Sequence, residues 1–202
     1  MDNKELILSE LDKMCRQKNA DIKKAEALMK QIDVNTEYVD PGWSRTITLL
    51  QAAAESANLE MSELLLKNNA DPDFVFSEQC VLWDLQYDDG KTIEENENRL
   101  KIAQLLLEYG ADPHIDPEKT GEGLFDYIVF EVFNDDCAWG YRARFLILLV
   151  AYGASSDYCS PRIVGSFDKK NMESYRFYLV ASGKHGYSGV ISDKDNAIVA
   201  YV

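Results

Sequence analysis

The sequence predicts an all-α protein, a solenoid of stacked helical hairpins with a small β-hairpin at its C-terminal end. Three observations carry this. A leucine-rich helical pattern ending in Gly or Asn recurs down the chain. A shorter apolar motif precedes each copy. The last stretch changes to β-branched and aromatic runs parted by turn residues.

The elements follow in order. Leu6, Ile7, Leu11, Met14 and Cys15 recur at helical spacing, so residues 3–18 read as a helix. Asn19-Ala20-Asp21 offers capping side chains, and Ala25, Leu28, Met29 and Ile32 mark a second helix over 21–31. Together they make a hairpin. Leu64-Leu65-Leu66-Lys67-Asn68-Asn69-Ala70-Asp71-Pro72 reappears as Leu105-Leu106-Leu107-Glu108-Tyr109-Gly110-Ala111-Asp112-Pro113 and again as Leu148-Leu149-Val150-Ala151-Tyr152-Gly153-Ala154-Ser155. A worn first copy is Ala27-Leu28-Met29-Lys30-Gln31-Ile32-Asp33-Val34-Asn35. Each is a helix closed by a residue that tolerates the left-handed conformation, a small Ala where the chain packs closely, and a polar turn. The preceding motif runs Thr48-Leu49-Leu50-Gln51-Ala52-Ala53, then Cys80-Val81-Leu82-Trp83-Asp84-Leu85, then Glu122-Gly123-Leu124-Phe125-Asp126-Tyr127. Beyond Ser160, Pro161–Phe167 and the Met172, Tyr175, Tyr178, Leu179 set read as one more helix pair. Tyr187–Ser192 and Ala197–Val202 read as the two strands of the hairpin, with Asp193-Lys194-Asp195-Asn196 as its turn.

These motifs resemble the ankyrin repeat, a β-turn and two helices opened by T-P-L-H-x-A. Thr48, Leu50 and Ala53 match that opening, while Leu49 and Gln51 stand where the family has Pro and His. The later periods are stretched to 41 residues, Asp71 to Asp112, and 43, Ala111 to Ala154. The extra residues fall at Tyr87–Asn98 and Asn134–Tyr141, between paired helices. The resemblance implies a divergent, bacterial array of three to five repeats over residues 37–160. Residues 1–36 form an N-terminal capping hairpin, and 161–202 a capping repeat with the β-hairpin, because a repeat array needs its end faces covered.

Charge supports that division. The 202 residues carry 35 acids and 21 bases, net −14, with 46% apolar residues, enough for a core rather than a disordered chain. Residues 1–36 are neutral, 161–202 hold +2 and 37–160 hold −16. Such acidity excludes a nucleic-acid binder and adhesion to anionic lipid. The mixed-charge N-terminus leads into no apolar signal region, and the longest apolar stretch, Phe145–Tyr152, is too short to cross a bilayer. A cytoplasmic protein is expected, its scattered Cys15, Cys80, Cys137 and Cys159 reduced.

No catalytic residue, cofactor site or metal site is expected. His114 falls in an inter-repeat turn, and Gly183-Lys184-His185-Gly186 lacks the longer phosphate-loop pattern. Asp84 and Asp126 occupy one register of the preceding motif. Three readings stay open for them: local backbone capping, an acidic recognition row, or a cation site completed by other oxygens. Asp88-Asp89, Glu94-Glu95-Asn96-Glu97 and Asp135-Asp136 are either solvated surface or an electrostatic lure for a basic partner.

The resemblance implies a non-enzymatic protein-protein interaction scaffold that binds through its concave face and turn tips as a monomer. The contact positions it implies are Ser44, Arg45, Ile47, Glu55 and Ser56 in the best-fitting repeat. Phe76, Ser77, Gln79, Tyr87 and Asp88 follow in the next, then Glu118, Lys119 and Gly121. Two alternatives stand beside it: an immunity-type protein neutralising a cognate basic toxin, and a structural homo-oligomer paired through exposed aromatics.

Overall fold

The computed structural model describes residues 3–40, 42, 45–75, 80–87, 92–120, 123–128, 141–154, 176–181, 187–192 and 197–201. Two compact units divide the chain, Met1–Ala111 and Asp112–Val202.

The first unit opens with α1 (Asn3–Cys15) and α2 (Ile22–Met29). Ile7, Leu8, Leu11, Met14 and Cys15 are buried on α1, one stripe at helical spacing. Asp21 starts α2 by accepting the Lys24 N–H at 3.1 Å. A short antiparallel arm follows, β1 (Tyr38–Val39) with β2 (Thr46–Ile47), Tyr38 opposite Ile47. Next come α3 (Leu49–Glu55), α4 (Leu59–Lys67), α5 (Val81–Asp84) and α6 (Ile93–Glu108). A capping box opens α3: Thr48 Oγ1 accepts from Gln51 N, and Gln51 Oε1 accepts from Thr48 N at 2.9 Å. Three buried alanines, Ala52 to Ala54, let neighbouring helices approach closely.

Packing is layered within this unit. Helix α1 lies on α3 and α3 on α5, while α2 lies on α4 and α4 on α6. Met61, Leu65, Leu66, Ile102 and Leu106 are almost wholly removed from water in the second layer. Each such side chain contributes about 1.5–3 kcal/mol relative to exposure.

The repeated helix ends share one geometry. Ala70 N donates to Leu65 O, Ala111 N to Leu106 O and Ala154 N to Leu149 O, each at 3.0 Å. The residues before them, Asn69, Gly110 and Gly153, hold φ of 67°, 96° and 99°. This is the left-handed C-terminal turn that satisfies the last helix carbonyls. An Asx turn then recurs: Asp33, Asp71 and Asp112 each accept, through Oδ1, the N–H two residues on, at 2.9–3.0 Å. The worn copy therefore aligns one residue later than its letters suggest, with Asp33 in the place of Asp71. Asn35 ties two turns together, donating to Asn69 O at 3.1 Å and accepting from Asp71 N at 2.8 Å.

One insertion is not a loop. Residues 93–98, expected between helices, are the first turns of a 16-residue α6. Thr92 and Glu95 form its capping box, and Glu94 and Glu95 face the positive end of the helix dipole.

In the second unit, residues 124–128 are helical and α7 spans Tyr141–Ala151. Leu124 N donates to Ile115 O at 2.8 Å. Gly123 sits so close that a Cβ there would lie 2.2 Å from His114 O. His114 is half-buried, its ring edge-on to Phe125 with centroids 5.5 Å apart. Three antiparallel strands follow in order, β3 (Arg176–Ala181), β4 (Tyr187–Ser192) and β5 (Ala197–Tyr201), with α7 against them. Arg176–Ala181 was expected within a helix; it is a strand. Its run of Phe, Tyr, Leu and Val favours extended backbone, and β4 supplies a full ladder from Arg176–Ser192 to Ala181–Tyr187.

Candidate recognition face

The β-arm and the first helices of the first unit bring together an ion-pair network. Arg16, one residue beyond α1, donates from Nε to Asp12 Oδ1 and from Nη2 to Asp40 Oδ2, both at 3.0 Å. Tyr38 Oη donates to the same Asp12 oxygen at 2.6 Å. Asp40, only 1% exposed, also accepts the Gly42 N–H at 2.7 Å and lies 3.8 Å from Arg45 Nε. Arg45 Nη2 in turn pairs with Glu55 at the end of α3. Charge thus runs from α1 through the arm to α3. Burial lowers the basicity of Arg16, but the Asp12 hydrogen bond and the Asp12 and Asp40 charges outweigh it and raise its pKa. Burial, then the Asp12 hydrogen bond, pushes the Tyr38 hydroxyl well above its ordinary range.

Arg99 extends the polar cluster from α6. It is 4% exposed, and its Nη2 donates to Asp84 O at 2.7 Å and Tyr87 O at 3.0 Å. These are carbonyls at the C-terminal end of α5, where a cation also suits the helix dipole. The Asp84 carboxyl is pushed up to about 7, first by burial and then by Glu55; Arg45 and Arg99 pull it down less.

At the turn tips a cavity of about 360 Å³ is lined by Gln17, Ser56, Asn58, Glu60, Glu63 and Glu94, among others. Glu94 pairs with Lys18 there at 3.6 Å. Asn58 organises this end. Its Oδ1 accepts Met61 N to start α4, and its Nδ2 donates to Met14 O, Cys15 O and Gln17 O to finish α1.

Of the contact positions inferred from the sequence, Arg45, Glu55, Ser56 and Tyr87 gather around this cluster and are half-buried. Ile47 is a correction: it is buried, because its side chain takes the inward position of β2. Glu118 and Lys119 are exposed in the second unit, in the turn where Asp116 accepts from Thr120 N. Ser44, Phe76, Ser77, Gln79, Asp88 and Gly121 lie outside the described residues, as do Asp89, Asp135 and Asp136.

Asp84 and Asp126 do not share a register after all. Helix α5 is capped at Cys80, whereas residues 124–128 begin after Gly123, so Asp84 is the fourth helical residue and Asp126 the third. Asp126 reaches back to its cap, Oδ2 accepting Gly123 N at 3.1 Å. Asp84 cannot do this from its position.

Sequence reasoning missed Asp12, Arg16, Asp40, Asn58 and Arg99. Asn58, an Asn before a helical run, and the Asp12–Arg16 pair at i, i+4 at the end of α1 carried local signals. Among the described residues no His, Cys, Asp and Glu group could hold a metal ion, and no helix is long and apolar enough to cross a membrane. Burial raises the thiols of Cys15 and Cys80, the latter to about 12, so both are poor nucleophiles.

A comparison with curated proteins finds no match for the chain. Residues 47–75 match the family model of the ankyrin repeat. The match runs from Ile47 through α3 and α4 into the turn at Asp71, one repeat's length of the chain.

Proposed function

We propose that the chain is a non-enzymatic scaffold that binds a basic protein, and that its first unit is an ankyrin-type solenoid. The ankyrin match over 47–75 carries this reading, because ankyrin repeats generally mediate protein–protein contact. The layering of α1, α3 and α5 beside α2, α4 and α6 supports it. So does the −16 held by residues 37–160. The face runs along the arm, α3 and α5, with the acidic tip at Glu60, Glu63 and Glu94 as its steering element.

The test is affinity capture with the full chain as bait, followed by association kinetics for the partner found. A variant with Asp88→Asn, Asp89→Asn, Glu94→Gln and Glu95→Gln keeps both hydrogen-bonding partners of the Thr92 cap. Its on-rate should fall about tenfold at low salt and lose most of its salt dependence. An on-rate indifferent to salt and to these substitutions removes the lure. The charge distribution favours a second reading, an immunity-type protein; its partner would be a basic toxin whose activity the chain suppresses in a mixing assay. Light scattering at two concentrations separates both from a homo-oligomer.

A further inference from the structure

Helix α5 has only four residues, Val81–Asp84; Val81 and Leu82 anchor it in the core, but its last residue is set among polar and charged groups. Asp84 Oδ2 is sealed from solvent and has no hydrogen-bond partner. The groups facing it are Glu55 from α3, Arg45 from the arm and Arg99 from α6. Neither arginine serves the carboxylate by hydrogen bond. Arg45 Nη2 is committed to Glu55, and Arg99 Nη2 donates to the Asp84 and Tyr87 carbonyls. Cys80, which begins the helix, is a buried neutral thiol also acted on by Asp73. Two residues beyond Asp84, Gln86 is 0% exposed, and both of its amide atoms lack partners. A charge placed here has a carboxylate for a neighbour and no donor of its own, and that costs free energy unless it is neutralised.

We propose that Asp84 is a proton-controlled latch: the neutral carboxyl seats α5 between α3 and α6, and loss of the proton loosens that seat. The carboxyl is displaced from an ordinary 3.8 to about 7. The folded state therefore holds its proton more tightly than the unfolded one, and stability from this group falls as pH rises from about 4 through about 7. The recognition face that α5 helps to build is then firm in mildly acid conditions and looser above neutrality.

Hydrogen-exchange mass spectrometry on the full chain tests this without any partner. Residues 81–87 are followed at pH 6 and pH 8, each normalised to intrinsic exchange at that pH. The wild type should open about tenfold more often at pH 8 than at pH 6, as a group titrating near 7 in the folded state and near 4 when opened requires. Asp84→Asn should remove that difference while keeping the protection of α4. If Asp84→Asn fails to fold, Glu55→Gln serves: removing the facing charge should shrink the pH effect. Equal protection at both pH values in the wild type, or the same pH response in a folded Asp84→Asn, overturns the latch. So does an NMR titration placing the Asp84 carboxyl below pH 5.

Discussion

Asn58→Ala is the perturbation with the clearest arithmetic. One side chain closes α1 and opens α4. The Oδ1 bond to Met61 N, 3.2 Å, is an N-cap whose loss costs about 1 kcal/mol. The Nδ2 group spans three carbonyls, Met14, Cys15 and Gln17, at 3.2, 3.0 and 2.9 Å. With two N–H bonds available it fully satisfies two, each worth about 0.5–1.5 kcal/mol net. The sum is about 2–4 kcal/mol, readable by urea denaturation followed by circular dichroism. Substitutions separate the two halves. Asn58→Ser keeps a cap and loses the reach to α1, so about half the loss is expected. Asn58→Asp also keeps the cap, yet brings a negative charge to the negative end of α1, and should be no better than the serine. A loss below about 0.5 kcal/mol for Asn58→Ala, or an aspartate variant as stable as wild type, refutes the reasoning.

Two glycines should respond differently to alanine. At Gly110, φ is +96° and a Cβ meets nothing within 4 Å, so Gly110→Ala costs only backbone strain, about 1–2 kcal/mol by thermal denaturation. At Gly123 the added carbon lies 2.2 Å from His114 O, so Gly123→Ala should cost more and shift the His114 ring resonances in NMR. Asp40→Asn removes the charge shared by Arg16 and Arg45 while leaving an acceptor for Gly42 N; a loss of about 2–3 kcal/mol in urea is expected.

What the sequence disclosed follows the range of the interactions. The helix ends at Asn69, Gly110 and Gly153 were legible because a left-handed residue and a small Ala stand side by side, followed at the first two by an Asx turn. The extent of α6 was legible in principle, since Thr92 and Glu95 spell a capping box. Treating the stretched period as a loop hid it. Ile47 was misplaced because contact positions were carried across by alignment, and a strand alternates its faces every residue. Of the network of Asp12, Arg16, Asp40 and Arg45, only the Asp12–Arg16 pair, four residues apart at the end of α1, was legible in principle. The network's members lie up to 33 residues apart, and no short spacing announces a pair that only the arm's fold creates.

This network changes how the acidic charge of the chain bears on recognition. Asp12, Asp40 and Glu55 are compensated internally by Arg16 and Arg45, in the setting where an ion pair holds elements in register. They add to the formal charge but little to the field a partner meets. Glu60 is exposed on the rim of the turn-tip cavity, and the Glu94–Lys18 pair beside it is open to water at 3.6 Å, a geometry worth little to stability. Neutralising acids therefore splits by location. Loss at Asp12 or Asp40, both buried, leaves the half-buried Arg16 and Arg45 short of partners and lowers stability. Loss at Glu60 or Glu94 leaves the fold alone and weakens long-range attraction. Net charge read from composition mixes these two populations; burial and pairing separate them.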